Sequence, residues 1–173
     1  EVEILGKEGA TTTILFNLKP LKNDNNEVYS IIPEGRLIQD IVDTRKELIN
    51  KNNLQARVHI VAGTDDVLNS LYKSALALVY ISSYEGFGMP VLEAMSLSCP
   101  VICSNNSSIP EVAGDAALLI DSENEQELMN ALEKILFDSA MRANLVTSGK
   151  ARAGLFSWNK CAEQTHSIYK KLV

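Results

Sequence analysis

The sequence predicts an α/β domain, a parallel sheet of about six strands with helices on both faces, and three observations predict it. Short apolar runs recur along the 173-residue chain without polar alternation, as strands buried on both faces require. Between them, longer segments place apolar residues at helical spacing. The composition, 46% hydrophobic and 22% charged, is that of one ordinary soluble globular domain with a full core.

Taken in order, Gly6, Gly9 and the Thr11–Thr13 run read as a linker over residues 1–12 that leads into a first strand at 13–18. Further strands are expected at 28–32, 57–62, 76–81, 100–103 and 117–120. Lys19 to Glu27 is too short for a crossover between parallel strands, which takes a dozen or so residues, and Lys22-Asn23-Asp24-Asn25-Asn26 has no apolar face. An irregular edge is therefore expected near 19–27, either an antiparallel hairpin or a place where residues are missing. Leu37, Ile38, Ile41, Val42, Leu48 and Ile49 form one helical stripe, and Leu128, Leu132, Ile135 and Leu136 another. Asn124 with Glu127 forms a capping pair before the second of these. Ser157 caps a last helix whose stripe is Trp158, Cys161, Ala162, Thr165, Ile168, Tyr169 and Leu172.

One segment carries chemistry: Ser82-Ser83-Tyr84-Glu85-Gly86-Phe87-Gly88-Met89-Pro90-Val91-Leu92-Glu93-Ala94-Met95. Pro90 suits the first position of a helix, because its missing N–H would be unpaired there and its φ is already helical. The helix is thus expected to start at about Met89. Gly86 and Gly88 lie just before it, where absent side chains allow unusual backbone angles and let main-chain N–H groups reach a bound group. The positive end of the helix dipole favours a phosphate at the same place. A carboxylate beside a diphosphate would be repelled, so Glu85 and Glu93 read as acceptors for hydroxyl groups, which sugars supply. A plainer reading stands beside this one: a Gly-x-Gly turn before a helix is common, and Phe87 with Met89 would serve as ordinary packing.

The net charge of −6, with no compensating Lys/Arg cluster, excludes a nucleic-acid surface. Cys99, Cys103 and Cys161 are odd in number and lack C-x-x-C spacing, so they read as reduced thiols in a cytoplasmic protein. No apolar run approaches the length of a membrane span. His59, in an apolar strand, and His166, on the last helix, read as structural, and no metal constellation is present. A dinucleotide-dependent dehydrogenase would need G-x-G-x-x-G after its first strand, which is absent.

Residues 82–95 closely resemble the Glu-x(7)-Glu segment of retaining glycosyltransferases of the GT-B fold, the large family 4 group, written E-G-F-G-x-P-x-x-E-A-M. The resemblance extends to Leu68, Leu71, Tyr72, Ala75 and Val79, to Pro100-Val101-Ile102, to the stretch from Ser107 to Ala117, and to Phe156-Ser157-Trp158. It implies one half of a GT-B fold, Rossmann-like, with residues 13–156 the donor-binding domain and 157–173 a helix crossing to an N-terminal acceptor domain. Glu85 and the backbone of Gly86, Phe87, Gly88 and Met89 would hold the donor sugar, Glu93 the ribose, and Ser82 would join the donor-binding set. Glu111 reads two ways, as a group orienting the donor loop or as a carboxylate favoured at a helix start.

Two departures from the family pattern matter. Ser98 stands where Gly is usual, so the site helix is expected to end loosely or to turn differently. Phe16-Asn17-Leu18-Lys19-Pro20-Leu21-Lys22-Asn23 resembles the G-[RT]-L-x-P-x-K-N loop that clamps the donor diphosphate, but only Lys22 keeps a charge at a matching place. Lys22 thus joins Glu85 as an expected catalytic residue, in a weakened clamp. The implied activity is retaining transfer of a hexose from a nucleotide-diphosphate sugar to an acceptor on the absent N-terminal domain, with the chain alone inactive. No metal or other cofactor is implied, and membrane contact would come only through the missing part. The alternative is a nucleotide-sugar-binding or assembly module without catalysis.

Overall fold

The computed structural model describes residues 2–5, 11–17, 46–55, 58 and 64–172. Its strands are β1 (Val2–Leu5), β2 (Thr11–Asn17), β3 (Ala77–Tyr80), β4 (Val101–Ser104) and β5 (Leu118–Ile120). Its helices are α1 (Asp65–Ser74), α2 (Met89–Ser96), α3 (Ile109–Ala113), α4 (Glu125–Phe137), α5 (Ser139–Ala153) and α6 (Trp158–Tyr169), with a 3-10 turn at Gly114–Ala116. Residues 46–51 are also helical and carry Leu48 and Ile49 of the first expected stripe. The described strands lie in the order β1-β2-β3-β4-β5. From β2 onward every pairing is parallel, with Ile14 opposite Ala77, Leu78 opposite Val101 and Ile102 opposite Leu118.

The alternation of strands and helices is as expected, and three of the expected strands are found within a residue of their predicted ends as β3, β4 and β5. The N-terminal boundary is corrected. Residues 2–5, assigned to a linker, form β1, antiparallel to β2, with Val2 opposite Ile14 and Leu5 opposite Thr11. The three threonines belong to β2 itself, since β-branched side chains suit a pleated strand better than a flexible tether. The count of six strands is not reached among the described residues. The expected strand at 28–32, the irregular edge near 19–27 and the helical positions 37–42 lie outside them, and of 57–62 only Val58 is described.

Parallel strands covered on both faces must be apolar on both, and β3 and β4 are buried at every position. Leu78, Tyr80, Val101 and Cys103 pack on one side with Val91, Leu92 and Met95 of α2 and with Ile109 and Val112 of α3. Ala77, Val79 and Ile102 pack on the other side with Ile120 of β5, Ala131 and Ile135 of α4 and Leu145 of α5. Each of these large side chains contributes about 1.5–3 kcal/mol by leaving water. Gly149 of α5 is buried against α2, where an added Cβ would stand 3.2 Å from the Cγ of Met95.

The capping expectations hold. The Asn124 side chain accepts from the N–H groups of Gln126 and Glu127, and Glu127 reaches back to the Asp121 N–H and the Asn124 amide. Ser157 accepts from the Lys160 N–H at 3.2 Å. Helix α6 behind that cap has no buried residue, so the stripe from Trp158 to Leu172 faces solvent, with Trp158 77% exposed.

Candidate functional site

The site grows from the carboxyl end of β3, the edge at which parallel sheets bind ligands. After Tyr80 the chain turns through Ser82, which is buried and donates its hydroxyl to the Tyr84 carbonyl at 3.0 Å. This fixes the turn; Ser82 therefore shapes the loop from inside. Glu85 follows, half-buried, with both of its backbone groups engaged by the β4–α3 loop. Its N–H donates to the Ser107 hydroxyl at 2.9 Å, and its carbonyl accepts from the Ser108 hydroxyl at 2.9 Å.

Helix α2 begins at Met89 with Pro90 in its first turn, as the sequence predicts. Its N-cap is Gly88, at φ 102° and ψ 47°, and no side chain caps the helix. Glycine is required there: besides the positive φ, a Cβ would lie 2.5 Å from the Cδ1 of the buried Ile109. Gly86 differs from the expectation, because its φ is not positive and a Cβ there would meet none of the described residues within 4 Å. The open space, rather than the backbone angle, is what Gly86 provides. Phe87 and Met89 are both exposed beside it, and the Phe87 ring meets Phe156 edge-on at 6.0 Å. Tyr84, just before Glu85, is 76% exposed.

Glu93 lies on α2, half-buried, next to Tyr72 of α1. The Tyr72 phenol is pushed up to about 12 by burial, then by the Glu93 charge and its hydrogen bond, and by Cys99. Beyond Glu93 the helix closes at Ser98, whose φ is 68°. The Cys99 N–H reaches the Ala94 carbonyl at 2.9 Å and the Ser98 N–H the Met95 carbonyl at 3.1 Å, the paired bonds of a Schellman cap. The expected loose end is thus a closed one, with serine taking the conformation that glycine takes at lower cost.

Arg152 of α5 ties this region to the end of the domain. Its guanidinium donates to the carbonyls of Val112, at 2.9 Å, and of Glu111, capping the last turn of α3. It also stacks over the Phe156 ring at 5.1 Å, the ring that touches Phe87. The Glu111 side chain is exposed.

The structure therefore gathers Glu85, Gly86, Phe87, Gly88, Met89 and Glu93 about the start of α2, and turns Ser82 inward. Lys22 and His59 lie outside the described residues, and His166 is exposed on α6. Sequence reasoning assigned no role to Tyr72, Ser107, Ser108 or Arg152. A polar pair just before the Ile109-Pro110 helix start was a readable signal for the serines; Arg152 and Glu111, 41 residues apart, left none. Cys99 and Cys103 are buried free thiols pushed up to about 12, chiefly by burial, whereas Cys161 is exposed. Among the described residues no three His, Cys, Asp or Glu side chains stand together as a metal site, and no helix is long and apolar enough to cross a membrane.

Compared with known families, residues 17–152 match the model of the glycosyl transferases group 1. The chain belongs to that family. As a group 1 glycosyl transferase domain it is 44% identical, over 62% of its length, to O-antigen chain mannosyltransferase B of Escherichia coli, of which it covers 28%. It is 32% identical, over 74% of its length, to the MMP alpha-(1->4)-mannosyltransferase of Mycolicibacterium hassiacum, of which it covers 32%. This group 1 domain thus spans less than a third of the length of either curated relative. Among solved structures it resembles the sucrose-phosphate synthase of Thermosynechococcus elongatus, with a TM-score of 0.69 and 26% identity over 92% of this chain and 38% of that one. Together these bear out the resemblance to the C-terminal domain of a GT-B glycosyltransferase.

Proposed function

We propose that this domain is the donor-binding half of a retaining glycosyltransferase, which binds a nucleotide-diphosphate hexose and offers its sugar to an acceptor held by an N-terminal domain. One arrangement carries the reading. A left-handed turn at Gly88 opens a helix without a side-chain cap, beside open space over Gly86, with one carboxylate before the turn and one after it. Backbone N–H groups and the positive helix end suit a diphosphate, while Glu85 and Glu93 suit the hydroxyls of the sugar and the ribose. Family membership supports the same assignment, and the names of both curated relatives support mannose as the hexose.

In this reading Glu85 and the Gly86–Met89 backbone hold the sugar, and Glu93 holds the ribose. The acceptor attacks from the side of the departing diphosphate, which helps to take its proton. The loop N–H groups and the Lys22 ammonium stabilise the negative charge that develops on that leaving group. The scheme assigns no step to a metal or other cofactor. The exposed stripe of α6 is the face offered to the N-terminal domain, and any membrane contact belongs to that domain. Buried free thiols support a reducing, cytoplasmic setting.

Calorimetric titration of the chain with UDP, GDP, UDP-glucose and GDP-mannose tests the proposal, and saturable binding of at least one pair is expected. No saturation up to millimolar ligand would sink it. Glu93→Ala should weaken binding of the bare nucleotide, whereas Glu85→Ala should chiefly remove discrimination among sugars; equal loss of bare-nucleotide affinity in both contradicts these roles. The thinned clamp at Phe16–Lys22 favours the second reading, a binding module without turnover. Sugar transfer by the full-length protein, abolished by Glu85→Ala, would exclude it.

A further inference from the structure

We propose that Ser107 and Ser108 are positioning residues, which orient Glu85 and turn the polarity of the donor loop toward an anion. The proposal rests on the donor-site reading and deepens it. Its first ground is the division of labour between two adjacent hydroxyls. Ser107 Oγ accepts the Glu85 N–H at 2.9 Å, while Ser108 Oγ shares its proton between the carbonyls of Glu85, at 2.9 Å, and Phe87, at 3.1 Å. The peptide groups on both sides of the Glu85 Cα are thereby fixed, and with them the direction in which its carboxylate leaves the loop.

The second ground is what this bonding leaves behind. The Tyr84 carbonyl is taken by Ser82, those of Glu85 and Phe87 by Ser108, and that of Gly88 by the Val91 N–H at 3.0 Å. The N–H groups of Gly86, Phe87 and Gly88 have no acceptor among the described residues. Four of the five carbonyls from Tyr84 to Gly88 are thus taken by the protein while three N–H groups remain, so the balance of the loop favours a diphosphate or sugar oxygen.

The third ground is a conflict at Ser107 itself. Its φ of 46° is a conformation for which glycine is the cheaper residue. Glycine there would relax the backbone but delete the acceptor for Glu85. A serine that holds a strained angle while its hydroxyl makes the one bond glycine lacks marks a side chain kept for that bond.

The test uses Ser107→Gly, Ser108→Ala and Ser108→Thr in the same chain, with two measurements. Amide hydrogen exchange read by NMR should speed up at Glu85 by about tenfold in Ser107→Gly, the scale of one lost hydrogen bond, and at the same amide, less steeply, in Ser108→Ala, which frees the carbonyls of Glu85 and Phe87. Helices α4 and α5 should keep their protection, and Ser108→Thr, which retains a hydroxyl, should exchange as the parent does. Unchanged exchange in the first two variants overturns the proposal. In calorimetry, both should lower the ratio of nucleotide-sugar to bare-nucleotide affinity by about fivefold without lowering the unfolding temperature of Ser107→Gly. A parent chain that binds neither ligand would defeat the donor reading alone, because the exchange result judges the serines without a ligand. A drop in unfolding temperature with an unchanged ligand ratio would make the serines structural and overturn their positioning role.

Discussion

The Tyr72 phenol, on the last turn of α1, neighbours the Glu93 carboxylate on α2, whose charge helps to hold the phenol proton in place, so the second carboxylate of the site has a partner outside the loop. Tyr72 is buried and Glu93 only half so. Tyr72→Phe should therefore keep the fold, losing less than about 1.5 kcal/mol, since water replaces the phenol at a half-open group. Nucleoside diphosphate affinity should fall about three- to tenfold, in the range of one hydrogen bond, and calorimetry beside thermal unfolding reads both effects.

Alkali should unfold the domain earlier than its surface charge suggests. Tyr72, Cys99 and Cys103 are each raised to about 12, from ordinary values of 10.0, 9.0 and 9.0. Because the folded chain keeps protons that the unfolded chain has released, their stabilising contribution is full below pH 9 and declines as pH rises through 12. Denaturant midpoints measured across that range should fall steadily, and Cys103→Ala should flatten the slope.

The two glycines of the site loop should part company. Gly88→Ala places a side chain at φ 102° and against Ile109, and should destabilise by about 2–3 kcal/mol. Gly86→Ala meets open space and should alter stability by less than about 0.5 kcal/mol. Binding of a nucleotide sugar should nevertheless weaken in Gly86→Ala, since the new methyl occupies the ligand's approach. Thermal unfolding and titration of the pair check this, and normal binding by Gly86→Ala would remove Gly86 from the site.

Ser98→Gly should stabilise the chain by about 0.5–1 kcal/mol, the relief of a left-handed serine less the extra entropy of an unfolded glycine. Among the described residues no side-chain bond of Ser98 opposes the change, in contrast with Ser107. The unfolding midpoint in denaturant, at constant slope, measures it.

Much of the sheet was legible because β3, β4 and β5 are covered by helices, which leaves uninterrupted apolar runs in the sequence. Pro90 and Asn124 marked their helix starts because caps are local chemistry. The edge hairpin was not legible: Gly6, Gly9 and three threonines read as tether, and only pairing with a distant partner makes Thr11–Thr13 a strand. Within the site, the Glu85–Glu93 spacing was readable, but the left-handed angles at Ser98 and Ser107 were not, since serine does not announce them. The hold of Tyr72 on Glu93, and of Arg152 on α3, exists only once separate helices pack.

Helix α2 is bounded on one side by Gly88 at φ 102° and on the other by Ser98 at φ 68°. A right-handed helix cannot propagate through either residue, so α2 cannot gain a turn at either end. The start of the helix at Gly88 therefore fixes how far Glu93, inside α2, stands from Glu85, before the turn. The distance between the two carboxylates can then change only if α2 shifts as a rigid rod against α1 and α5.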